Sequence, residues 1–306
     1  MNNHGLRWIA ALCALVAGMA AVASAAGVFL RGGLETVEFV TARGERVDVL
    51  VDGVYRYNGL DIAAEGVGWD FVTLFLVVPA LVLLLPALAH GSLRAAFGVT
   101  GILAYLLYQY FEYAVALAYG PLFLLYVATF ALSLSGIVLI LGRVRYTELA
   151  ARFGAGFPRR GIIGLGLWMA GLLLLLWLPL IGRTLGGTIQ DGDLDGGTTL
   201  VVQAFDLGLL VPLGLFMAVA VQRRLVAGYV LAAAVVVKAV AMPIAIGAML
   251  VFEAFAGEPF QVVPLVIFGG TAAVSALIGI RLFRSITPDA TPSLVVAPSP
   301  HPAPAG

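Results

Sequence analysis

Along this chain, apolar runs of about 20 residues alternate with short polar breaks. That is the length of helix that crosses a hydrocarbon layer of ~30 Å at ~1.5 Å per residue. The runs fall at residues 8–30, 70–89, 95–117, 121–141, 161–182, 204–221, 225–252 and 260–281, and they predict eight membrane-spanning helices. One polar break is long. Within it, Thr36 to Val40 and Arg46 to Val51 alternate polar and apolar positions about Arg43-Gly44, the pattern of a β-hairpin. A lone hairpin is marginal in water, so it is expected to lie on the helix bundle as a lid. The stretch from Thr287 to Gly306 is rich in Pro, Ala and Ser and is expected to be a disordered tail.

The expected fold is therefore all-α: a polytopic transmembrane bundle of about eight spans in two four-helix halves, with a small extracytoplasmic hairpin after the first span. Residues 1–30 form the first transmembrane helix or a cleavable signal peptide. Residues 31–69 are the extracytoplasmic loop, 70–142 helices two to four, 143–160 a cytoplasmic loop, 161–284 helices five to eight, and 285–306 the tail. Ala23-Ser24-Ala25, after an apolar run led by Arg7, has the form of a signal-peptidase site. The apolar continuation through Val28, Phe29 and Leu30 favours a retained helix. Cleavage would leave seven spans, with the mature N-terminus outside.

Composition agrees with this class. The 306 residues are 61% hydrophobic and 11% charged, against roughly 25% charged in soluble domains. A net charge of zero gives nucleic acid no purchase; membrane lipid and a small solute or ion are the partners expected. No cofactor is implied, and the oligomeric state has no signature. Cys13 is the only cysteine, which excludes an intramolecular disulfide. His4, His90 and His301 lie at the termini or in a short loop, poorly placed for a metal site.

Orientation follows from arginine. Eleven of the sixteen fall in one set of connections and five in the other, four of those five within the long acidic loop. The arginine-rich side is assigned to the cytoplasm. Both termini are then cytoplasmic, in what would be a bacterial inner membrane.

The candidate chemistry begins with Lys238, the only lysine, near the centre of the seventh run. An ammonium at that depth costs about 2.5–3.5 kcal/mol by insertion scales. The third run carries Tyr105, Tyr108, Gln109 and Glu112 at i, i+3, i+4 and i+7, one face of a helix. Such a face must meet protein or water. Lys238 is expected to meet it, with Glu112 as counter-charge and Tyr108 and Gln109 as hydrogen-bond partners. A buried pair that only fixes packing, or a lysine that snorkels towards the interface, remains the alternative. Arg94 to Tyr108 also lies over Arg224 to Lys238 without a gap, arginine on arginine and Gly98 on Gly228. Four-helix halves of like orientation would be related by an axis along the membrane normal.

Asp70 and Asp206 are read as the outer starts of the second and sixth helices, where a carboxylate caps free N–H groups. Pro79, Pro212, Pro243 and Pro264 are expected to kink their helices. Asp191, Asp193 and Asp195 match the first half of a calcium loop. Val202 stands where its bidentate glutamate belongs, so the three are at most a weak calcium site. Gly161, Gly164 and Gly166 fit close helix packing better than phosphate binding.

The strings Thr198 to Pro212, Tyr105 to Tyr110 and Gly120 to Tyr126 resemble a group of uncharacterised bacterial multi-pass membrane proteins, over about residues 50–280. The resemblance implies a shared helical architecture and no established activity, so it assigns no catalytic residue. The function expected from the residues is transporter-like or permease-like, with a midplane site at Lys238. An intramembrane enzyme acting on a lipid or isoprenoid, with Lys238, Glu112 and tyrosines as acid–base groups, is the alternative, and a non-catalytic assembly protein is another. Retinal bound to Lys238 lacks the sequence surroundings it would require.

Overall fold

The computed structural model describes residues 4–186, 194 and 196–287. The calcium candidates Asp191, Asp193 and Asp195, and the tail beyond Thr287, lie outside the described residues. Eight long helices are present among those described: α1 His4–Phe29, α2 Leu60–Ala89, α3 Leu93–Ala116, α4 Phe123–Leu141, α5 Arg159–Leu185, α6 Val201–Gln222, α7 Val226–Ala256 and α8 Val262–Ser285. All but α3 are both long and apolar enough to cross a membrane. The chain is a multi-pass membrane protein. Helix α3 is as long as its neighbours, but its tyrosines, Gln109 and Glu112 lower its hydropathy. It is also buried along most of its length, because α2, α4 and α7 all pack on it.

Two helices start before the carboxylates read as their caps. Helix α2 begins at Leu60 and α6 at Val201. Asp70 and Asp206 are therefore not helix caps; each lies inside a continuous helix and is buried. The acidic Asp61 and Glu65 make the first turns of α2 look like loop. Small residues carry those turns into contact all the same: a Cβ on Gly68 would lie 2.6 Å from the Met249 nitrogen on α7. Both helices then widen into a five-residue π turn, Thr73–Val77 and Asp206–Leu210. Val78 N–H bonds to the Thr73 carbonyl and Val211 N–H to the Asp206 carbonyl, each five residues back. Pro79 and Pro212 follow directly. Proline lacks an N–H and crowds the carbonyl four residues back, and the wider turn relieves both faults. Pro243 is inside α7. Pro264 is not an interior proline, since it falls in the first turn of α8, where no N–H is needed.

Helix α7 is the hub, packing on α2, α3, α6 and α8. Gly101 makes its crossing with α3 tight; a Cβ there would lie 2.5 Å from Val237 Cβ and 2.8 Å from the Ala234 carbonyl oxygen. Gly166 of α5 meets the Gly214 carbonyl of α6 in the same way, Gly161 faces Ile278, and Gly164 faces open space. Helix α1 packs on both α2 and α4, whereas α5 scarcely touches α8.

The hairpin forms with Phe39 opposite Val47 and Glu38 opposite Asp48. Gly44 turns it at φ +84°, a conformation that suits glycine. Strand β1, Thr36–Val40, is exposed. Strand β2, Arg46–Leu50, buries Leu50 with Tyr55, Ala63 and Val67 at the start of α2. The Arg43 guanidinium donates to the Thr198 carbonyl at 3.2 Å, tying the turn to the segment before α6.

Candidate functional site

The polar face of α3 divides into two flanks. At ~100° per residue, Tyr105 and Gln109 point about 60° away from Tyr108 and Glu112. Tyr105 and Gln109 meet α2. Thr73, in the π turn, donates to Gln109 Oε1 at 2.7 Å, so the Tyr105 hydroxyl, 3.0 Å away, donates to Thr73. Gln109 Nε2 donates to Asp70 Oδ1 at 3.3 Å, and the Tyr55 hydroxyl donates to Asp70 Oδ2. Tyr113 donates to the Gly66 carbonyl at 3.1 Å. Tyr110 pairs with Ser24 of α1 at 2.9 Å. Gly27 lets α1 pass directly over the Asp70 carboxylate. Asp70 is thus held by neutral donors. Tyr55, in the loop before α2, has its phenol pushed well above 10.0 by burial first and by Asp70 second, which keeps it a donor.

Tyr108 and Glu112 face the other way, towards α6 and α7. Lys238 is 6% exposed, and its Nζ stands 3.3 Å from the centre of the Tyr108 ring. It lies over the ring face and has no hydrogen-bond partner among the described residues. The Tyr108 hydroxyl donates to Asp206 Oδ1 at 2.6 Å, and Trp177 Nε1 of α5 donates to Asp206 Oδ2 at 2.8 Å. Glu112 is 4% exposed, and its Oε1 also lacks a partner. Glu112 and Asp206 both lie within electrostatic reach of Lys238, but among the described residues neither comes within 4.0 Å of Nζ.

Cation, aromatic ring and carboxylate thus form a chain across three helices. A phenol donating to a carboxylate gains electron density, which strengthens its hold on a cation over its face. The lysine keeps its three N–H donors unused. A cavity of about 80 Å³ reaches this centre between α5, α6, α7 and α8. Leu172, Leu173, Met242, Ile246 and Phe268 make its walls, with Lys238, Asp206 and Thr271 as the polar groups. None of these comes from the first or last turn of its helix, so the cavity lies within the bundle rather than at either end of it.

Of the residues singled out in the sequence, Lys238, Tyr108 and Glu112 come together. Tyr105, Gln109 and Asp70 gather in the second cluster, and Asp206 joins the first. Trp177, Thr73 and Tyr55 complete these clusters without a motif of their own in the sequence. The one available hint for Trp177 is that a tryptophan inside a span needs a partner for its indole N–H; nothing marks Thr73. Among the described residues no three His, Cys, Asp or Glu side chains are grouped to hold a metal ion. Comparison with models of known families, with curated proteins and with solved structures finds no match to this chain.

Proposed function

We propose that this chain is an eight-span, permease-like protein of a bacterial inner membrane that binds a small amphipathic anion at Lys238. The largely apolar cavity beside Lys238, between α5, α6, α7 and α8, carries this proposal. Its walls suit hydrocarbon, and the unshared N–H groups of Lys238 suit an anionic head.

Helix α3 supplies the eighth span. It connects the end of α2 to the start of α4, and its 24 residues would cover ~36 Å at ~1.5 Å per residue. Eight crossings put both termini on the arginine-rich, cytoplasmic side. Two like-oriented halves are supported by packing: α2 on α3 on α4 is matched by α6 on α7 on α8, and each second helix has a π turn before its proline. Tyr108 and Lys238 are the paired positions, and they touch across the α3–α7 contact.

A doxyl-labelled stearate tests the site, because a quencher in the cavity would lie beside Trp177. Saturable quenching of tryptophan fluorescence, displaced by octanoate and not by acetate and lost in Lys238→Met, is the expected result. Equal quenching in Lys238→Met would refute the site. The same apolar cavity would serve an enzyme acting on a lipid; chemical change in a bound probe lipid, abolished in Lys238→Met, would favour that alternative.

A further inference from the structure

The seam between α5 and α8 holds a second space. Where α5 begins and α8 ends, the two helices stand apart over a cleft of about 490 Å³. Its rim carries Arg159, Arg160 and Arg281, and its floor is Val274, Leu277 and Ile278. Arg159 is already engaged, donating to the Val221 carbonyl at 2.9 Å. Arg160 and Arg281 are exposed, and among the described residues neither has a hydrogen bond or a carboxylate within 4.0 Å. Among the described residues, none that lines the cleft is acidic. The first-turn N–H groups of α5, a 27-residue helix, face out at the same end.

Three guanidinium groups around one space repel each other until an anion joins them. A phosphate suits them best, since each planar guanidinium can give it two parallel hydrogen bonds. The floor calls for the opposite chemistry. Val274 and Leu277 are exposed aliphatic side chains continuous with the outer face of α8. A ligand that satisfies both carries a phosphate monoanion and hydrocarbon chains on one molecule.

We propose that this cleft binds the headgroup of an anionic phospholipid, its acyl chains lying along the α5–α8 seam. The inference rests on the multi-pass architecture and is independent of what binds Lys238. In the seam, the Trp168 indole donates to Thr271 Oγ1 at 3.0 Å, between this cleft and the Lys238 cavity. The two spaces are thus separate sites.

Thermal unfolding of the full chain in neutral detergent tests it. The additives are short-chain phosphatidylglycerol, phosphatidylcholine with the same chains, and inorganic phosphate. Phosphatidylglycerol should raise the melting temperature several degrees more than phosphatidylcholine, and the difference should shrink as salt is added. The double variant Arg160→Gln/Arg281→Gln should fold normally, because both side chains are exposed and unpaired, and should lose that difference. Lys238→Met should keep it, which separates this site from the one proposed above. Equal stabilisation by the two lipids, an undiminished difference in the double variant, or the full effect from inorganic phosphate alone would each overturn the proposal.

Discussion

Replacing Lys238 by methionine distinguishes a lysine kept for binding from one kept for packing. The two side chains have similar length and no branches, so the substitution leaves no large hole. It removes an ammonium whose burial at mid-span costs about 2.5–3.5 kcal/mol. It also removes a contact with the Tyr108 ring, 3.3 Å from Nζ, worth about 2 kcal/mol when desolvated. Nζ has no hydrogen bond among the described residues, so none is lost, but the attraction of the ammonium to Glu112 and Asp206, neither within 4.0 Å, goes with it. Asp206 keeps both of its donors, Tyr108 and Trp177. With these terms opposing the relief of burial, the expected outcome is a protein within about 1 kcal/mol of wild type that no longer binds the labelled stearate. Breaking a buried structural ion pair would instead cost about 3–5 kcal/mol. Reversible unfolding in mixed micelles, followed by circular dichroism, measures the difference. A loss of more than about 2 kcal/mol would refute the reasoning and make Lys238 a packing element.

Gly101→Ala and Gly68→Ala should each destabilise by about 1–3 kcal/mol, because the new methyl meets α7 at 2.5–2.6 Å; Gly171→Ala, with nothing within 4 Å, should be neutral or stabilising in the same unfolding assay. Thr73→Val keeps the shape but strands Tyr105 and Gln109, for a loss of about 1–3 kcal/mol that Thr73→Ser should largely restore. Tyr55 gives a pH dependence. Its phenol titrates at 10.0 when unfolded and well above that when folded, so its contribution is full below pH 10 and declines above it as the unfolded chain gives up the proton. Stability measured from pH 9 to 11 should fall less steeply in Tyr55→Phe; an unchanged slope would count against the buried Tyr55–Asp70 contact.

Each of the eight apolar runs overlaps one of the long helices, because the free energy of placing a side chain in hydrocarbon is nearly local and adds along the chain. The hairpin was legible for a similar reason, since a period of two about Gly44 is a property of a few neighbouring residues. Lys238 and the polar face of α3 were visible as exceptions to the apolar pattern. Their partners were not. Whether Gln109 turns to Asp70 or to Lys238 depends on the rotation of α3, and that is set by contacts such as Gly101 on α7. Asp70 and Asp206 resembled caps because each is a lone carboxylate at the edge of an apolar run; packing on α7 extends α2 before Asp70, and Phe205 packing on Tyr108 and Phe111 of α3 extends α6 before Asp206. Trp177 reaches Asp206 across 29 residues of sequence, and the cavities of the α5–α8 seam exist only because two helices fail to close on each other. Sequence alone determined where the chain becomes helix and where it carries charge into the apolar interior. Tertiary packing decided which of those charges meet and from which side they can be reached, because helix rotation and spacing arise from many distant contacts at once.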